Sequence, residues 1–132
     1  MNQRRRLRWG VFIVGLDPVA GHEQGGERRA LVVSYEPFHG SGLATVCPIT
    51  TRQATYPNEV VIPAGEAGQT ENGVILCHQV RTVSVMRFQR LVGFVLDPRV
   101  RGHVRQSLAR HLGLDVPGSS DGATGSESID SS

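Results

Sequence analysis

Apolar positions along this chain come in short runs separated by polar stretches, a rhythm that belongs to β-strands more than to helices. Residues 8–16 set Trp9, Val11 and Ile13 on one face and Phe12, Val14 and Leu16 on the other, which predicts a strand buried on both sides. Residues 30–35 (ALVVSY) and 43–49 (LATVCPI) predict a second and a third strand. Pro48 has no amide hydrogen to give to a ladder, so it implies an edge or a bulge. A short strand over 59–62 follows, then a β-rich run over 74–83 that contains the polar residues His78, Gln79 and Arg81. A single helical turn over 85–90 and a last strand over 91–96 complete the series. The stretches 36–42 and 63–73, rich in Gly and Pro or Glu, read as turns and loops.

One helix is spelled out by its ends. Asp97 is placed as N-cap, Pro98 at the first helical position and Gly113 as the stop, with Val100, Val104, Leu108 and Leu112 forming an apolar stripe. Arg99, Arg101, His103, Arg105 and Arg110 are expected on its solvated face. The pattern therefore predicts a mainly β domain with a C-terminal helix, in which a small, strongly bent antiparallel sheet or barrel carries the helix against it. The expected boundaries are a flexible basic segment over 1–7, one domain over 8–114, and a disordered acidic tail over 115–132 that has almost nothing apolar to bury.

Composition narrows the chemistry. The 132 residues support a single core. All 14 basic residues of the Lys+Arg count are Arg, which excludes lysine Schiff-base and lysine general-base mechanisms. The formal charge of +2 conceals an asymmetry: four of the 12 carboxylates lie in the tail, so residues 1–114 carry a surplus of six positive charges. That surplus suits a polyanionic partner such as nucleic acid. The run 11–16 behind Arg4, Arg5 and Arg6 is too short for export or a membrane span, so a cytoplasmic protein is expected. Cys47 and Cys77, each inside an apolar run, read as buried free thiols.

Between the first two strands lies Gly21-His22-Glu23-Gln24-Gly25-Gly26-Glu27-Arg28-Arg29, within a segment far longer than a hairpin needs. Glycines let the backbone approach a ligand, an imidazole moves protons near neutrality, and guanidiniums match phosphate. The cysteines and histidines form no zinc pattern, and His22-Glu23 is not followed by a second His at helical spacing, so neither a metal nor another cofactor is expected.

Several stretches in register (LDPVAGHEQGGERR, ALVVS, TVCPITT, YPNEVVIP, HQVRTV and a closing helix with Leu-Gly-Leu) resemble the MazF/PemK family of toxin ribonucleases from toxin–antitoxin modules, over about residues 8–114. The resemblance implies an SH3-like barrel working as a homodimer that cuts single-stranded RNA at short sequences. It also implies an antitoxin partner whose acidic, disordered segment covers the RNA-binding surface. Carried over residue by residue, it makes Arg28 and Thr50 catalytic and gives His22 an acid–base role, with Glu23, Gln24, Arg29, Thr51, His78, Gln79 and Arg81 as RNA-contacting or bracing residues. Three departures stand out. Arg29 replaces a Pro, Trp9-Gly10 replaces a Gly followed by Asp or Glu, and His78 replaces an Asp. Alternatives are a toxin that binds DNA gyrase on the same barrel without cutting RNA, and a catalytically degenerate relative.

The residues fit metal-free RNA cleavage by the neighbouring 2′-hydroxyl, which needs a base, an acid and positive donors at the phosphorane. Arg28 supplies a permanently charged fork and Thr50 a hydroxyl, with Thr51 a weaker copy; His22, with His78 as second partner, is expected to handle protons. Phe38 and Tyr56 lie in loops where either can stack on a base.

Overall fold

The computed structural model describes residues 5–114; the expected acidic tail lies outside them. Within that span seven antiparallel strands and one α-helix follow in order: β1 (Gly10–Gly15), β2 (Glu27–Val32), β3 (Leu43–Thr50), β4 (Glu59–Ile62), β5 (Gly73–Leu76), β6 (Arg81–Ser84), β7 (Phe88–Phe94) and α1 (Pro98–His111). The sheet runs β4-β5-β3-β2-β1-β7, and β6 pairs with β3 off that path. This is the mainly β architecture with a C-terminal helix that the apolar pattern predicts.

The two-sided apolar alternation of β1 has a direct consequence: the sheet carries a core on each face. Val11, Leu31, Cys47, Ile49 and Ile75 pack under α1 through Val100 and Val104, while Phe12, Val14, Ala30, Val32 and Val46 pack on the opposite side with Val83. Neighbouring residues of one strand thus enter different cores, and a one-residue slip would exchange them.

β3 holds the sheet together, and here two expectations change. Pro48 does not mark an edge: it is buried in a central strand, across from Ala30 of β2. It is tolerated because the other side of β3 changes partner there, from β6 at Leu43–Val46 to β5 at Ile49 and Thr50. The run over 74–83 is accordingly not one strand. Ile75 sits across from Ile49 and Arg81 across from Val46, so the five residues between them are set against only two of β3. The excess forms a 3-10 turn at Cys77–Gln79, which lifts His78 and Gln79 out of the ladder.

β2 starts earlier than its apolar residues suggest. Pairing with β1 extends to Glu27, so Arg28 and Arg29 belong to the strand, opposite Val14 and Ile13, and not to the loop. The 36–42 turn is a 3-10 helix closed by Gly42 at φ 87°. α1 has the expected cap, with the Asp97 side chain accepting the Arg99 amide. Its stripe is shorter than expected: Val100 and Val104 are buried and Leu108 packs on the core, but Leu112 lies past the last helical residue and is 57% exposed. Nor is the arginine face uniformly solvated, since Arg101 and Arg105 each lie 5.2 Å from the centre of the Trp9 ring.

Cys47 and Cys77 are buried and free, as expected. A hydrogen bond with the Cys77 thiol and burial push the Cys47 thiol well up, away from the reactive thiolate.

Against β7 the turn around Ala67 and Gly68 packs backbone to backbone. A Cβ on Gly93 would stand 2.5 Å from the Ala67 carbonyl carbon and 2.9 Å from the Gly68 nitrogen, with no flexible side chain to give way. Gly93→Ala is expected to cost about 2 kcal/mol, the usual scale of overpacking, read as a lower urea midpoint with an unchanged slope; a wild-type midpoint would contradict the close approach.

Candidate active site

The loop over 16–26 rises from the ends of β1 and β2 and is held from several sides. Asp17 Oδ1 accepts the Gly26 amide at 2.9 Å, Glu23 accepts the Ala20 amide at 2.9 Å, and Gly21 and Gly26 take positive φ. Gln79 reaches across from the 3-10 turn: its Oε1 accepts the Gln24 amide at 2.8 Å and its Nε2 donates to the His22 carbonyl at 3.4 Å. Arg81 Nη1 donates to the Leu16 carbonyl at 3.0 Å at the loop's base. Gln79 and Arg81 therefore brace the loop.

Arg28 and Thr50 come to one cavity. The β2–β3 ladder ends at Ala30 and Pro48, and Arg28 and Thr50 each lie two residues further along their strands, where β3 pairs with β5 on its other side. Both line one cavity of about 290 Å³, together with Arg29, Thr51, Glu27 and Ile13. Arg28 Nε donates to the Gly25 carbonyl at 3.0 Å, which fixes the guanidinium by the loop backbone; Glu23 takes no part in orienting it. Arg29 is partly committed elsewhere, donating through Nη1 to the buried Gln69. Glu27, the cavity's carboxylate, accepts from Gln89 at 3.0 Å.

The histidines lie in a second compartment. His22, Gln24, His78 and Gln79 line a groove of about 790 Å³ with Arg52, Thr55 and Tyr56. The cavity and the groove adjoin through consecutive residues, Thr51 in one and Arg52 in the other. His22 is exposed, Tyr56 is 58% exposed, and the buried Gln24 Oε1 has no hydrogen-bond partner. Phe38 is half-buried beside His39, away from the groove, so of the two loop aromatics only Tyr56 lines it.

Glu59 organises this groove, and the strand pattern gave no sign of it. Its side chain is fully buried and takes both Arg52 nitrogens (3.0 and 2.6 Å), the Thr55 and Tyr56 amides (2.7 and 3.2 Å) and His78 Nε2 (2.9 Å). Arg52, the backbone amides and His78 hold its carboxyl far below the usual carboxylate range against the opposing effect of burial. The cue in the sequence was slight: a lone carboxylate at the start of β4, seven residues after an arginine. His78, where the family resemblance leads one to expect Asp, here hydrogen-bonds to Glu59 through Nε2, at a place where a second carboxylate would meet Glu59 charge to charge.

Chemically, the cavity offers a fixed guanidinium beside a hydroxyl, a combination suited to a phosphate oxygen, and the groove offers an imidazole, amides and an exposed phenol ring suited to unpaired bases. Among the described residues no three His, Cys, Asp or Glu side chains converge as a metal site, and no helix is long and apolar enough to cross a membrane.

A small antiparallel sheet with one closing helix, and a cavity holding a guanidinium and a hydroxyl at a strand end, defines a compact, mainly β class of domain. The chain belongs to the PemK-like, MazF-like toxins of type II toxin–antitoxin systems, whose family model matches residues 7–112. It is 37% identical over 94 residues to endoribonuclease toxin ChpB of Escherichia coli K12, across 68% of this chain and 80% of that protein. It also superposes on crystalline MazF from Deinococcus radiodurans with a TM-score of 0.70 and 34% identity, covering 80% of this chain and 94% of that one. A MazE–MazF crystal structure from the same organism matches with a TM-score of 0.64 and 28% identity, over 81% and 94%.

Because Glu59 titrates lower when folded than unfolded, the stability it contributes is complete above the ordinary Glu value of about 4.3 and is lost only as pH falls through its depressed folded value. Glu59→Ala is expected to lose roughly 2 kcal/mol at neutral pH, less than a wholly buried pair because Arg52 is part-exposed. The loss should persist at pH ~5 and narrow only at stronger acidity. Equal stability of the two proteins at neutral pH would contradict the hub.

Proposed function

We propose that this chain is the toxin of a type II toxin–antitoxin pair and a metal-independent endoribonuclease that cuts single-stranded RNA at short sequences. The observation that carries this is the shared cavity of Arg28 and Thr50, residues 22 positions apart in sequence that the start of β2 and the end of β3 bring to one place. The names of the relatives put nuclease activity ahead of gyrase binding.

In the proposed reaction the scissile phosphate lies in the cavity. The neighbouring 2′-oxygen attacks phosphorus, its proton passes to a base, the P–O5′ bond breaks, and the leaving 5′-oxygen takes a proton from an acid. Arg28 donates two hydrogen bonds to the phosphorane oxygens and Thr50 one, and both strengthen as charge develops. His22 is the mobile imidazole. His78 has Nε2 engaged by Glu59 and is better placed to hold the groove than to exchange protons. Flanking bases lie along the groove, where the exposed Tyr56 offers a ring face.

As partners we infer a second copy of the chain and an antitoxin whose acidic segment competes with RNA for the basic surface; the MazE–MazF assembly of the Deinococcus relative supports the second inference. A cytoplasmic location follows from that reading of its substrate.

The test is cleavage of a fluorogenic single-stranded RNA by the purified protein in EDTA, with DNA gyrase and supercoiled DNA assayed in parallel. Arg28→Ala is expected to lower the rate by about 10²–10³, the scale for removing one donor to a transition-state anion, and His22→Gln to flatten one limb of the pH–rate profile. Full activity of Arg28→Ala, dependence on added divalent metal, or inhibition of gyrase without RNA cleavage would overturn the assignment.

A further inference from the structure

Trp9 occupies a position whose backbone favours glycine. Its φ is 69°, in the left-handed region, where a bulky side chain is strained. The ring is nonetheless well held: it is 6% exposed, its amide donates to the Val32 carbonyl at 2.9 Å, and its carbonyl accepts the Val95 amide at 2.8 Å. Over it stand three guanidiniums, those of Arg8, Arg101 and Arg105, each 5.2 Å from the ring centre.

Three like charges gathered on one indole repel one another, and among the described residues none of the three is in an ion pair. Arg101 Nε donates to the Val95 carbonyl, but Arg8 Nε is buried with no hydrogen-bond partner. Beside them opens a cavity of about 690 Å³, also lined by Arg6, the exposed Tyr35 and Phe94. Glu36 is its one carboxylate, and the oxygens of Glu36 are turned to the Leu7 and Arg8 amides and to His39. The cavity shares no residue with the Arg28–Thr50 cavity or the histidine groove.

We propose that the cationic patch over Trp9 is the docking surface for this chain's own acidic C-terminal segment, residues 115–132. That segment holds Asp115, Asp121, Glu127 and Asp130 and no basic residue. It follows Leu114, just past the helix that presents Arg101 and Arg105. At 1.5 Å of rise per residue, Arg105 lies about 14 Å and Arg101 about 20 Å back along the axis from Leu114. Seven extended residues reach about 24 Å, so Asp121 and every carboxylate after it can span the distance. On so short a tether even a weak charge contact is populated, because the effective concentration is in the millimolar range. An acidic peptide fits better than RNA here: the indole is covered and offers no face for stacking a base, and the patch sits at the start of β1, whereas Arg28 pairs near its end. The inference does not depend on the ribonuclease reading.

Trp9 is the only tryptophan, so its fluorescence reports on this patch alone. The full-length chain is compared with a full-length variant whose tail is neutralised by Asp115→Asn, Asp121→Asn, Glu127→Gln and Asp130→Asn. Raising salt to ~1 M, where the Debye length falls to ~3 Å, should shift the Trp9 emission maximum in the natural chain, as carboxylates leave the guanidiniums around the ring. The neutralised variant should already emit at that position and respond little to salt. A synthetic 115–132 peptide added to the neutralised variant should restore the low-salt emission, with its affinity lowered several-fold by Arg105→Gln. Identical emission of the two chains at low salt would overturn the proposal. So would a peptide without effect, whether or not single-stranded RNA shifts the emission in its place.

Discussion

Everything at the candidate site depends on the register in which β2 is held between β1 and β3. Val14 faces Arg28 on one side, and on the other the pairing of Ala30 with Pro48 leaves Arg28 and Thr50 each two residues beyond the end of that ladder, at the rim of one cavity. Both cores enforce that register, because a shift by one residue would turn Leu31 and Ala30 each into the wrong core. The position of one guanidinium is thus secured by apolar packing far more than by polar contacts of its own.

A second constraint shapes the groove. β3 has to pair with β5 and β6 on one edge, and the chain between them cannot stay in the ladder, so it turns at Cys77–Gln79. That irregularity presents Gln79 to the loop over 16–26 and His78 to Glu59, and Glu59 in turn collects the 52–56 loop. His78 therefore serves the groove as a hydrogen-bond partner. Together with Arg52 and the Thr55 and Tyr56 amides it satisfies the buried carboxylate of Glu59, and the loop that carries Tyr56 is fastened as a result.

Much of the fold was legible along the chain because its signals are local. The alternation in β1 announced burial on both faces, and the Asp97–Pro98 pair announced where the helix begins. Pro48 misled because proline reports only the loss of its own amide hydrogen, and whether a partner needs that hydrogen depends on where β5 and β6 stop. The break within 74–83 was hidden for a similar reason: each half is a sound strand, and only their shared partner forces a turn. Arg28 and Arg29 looked like loop residues because polarity marks exposure, whereas their strand geometry comes from pairing with β1. Arg28 and Thr50 are legible together only through family resemblance and suitability for phosphate; nothing local in either stretch says that the start of β2 and the end of β3 open onto one cavity. Glu59 was missed because a hub assembled from three separate elements of structure leaves no local pattern.

The claim that one phosphate is held by both Arg28 and Thr50 is tested most directly by a double-mutant cycle on single-turnover RNA cleavage, using Arg28→Ala, Thr50→Val and the pair. Groups acting on the same oxygens lose their effect together, so the double variant should cleave within roughly threefold of Arg28→Ala alone. Losses that multiply independently would contradict it.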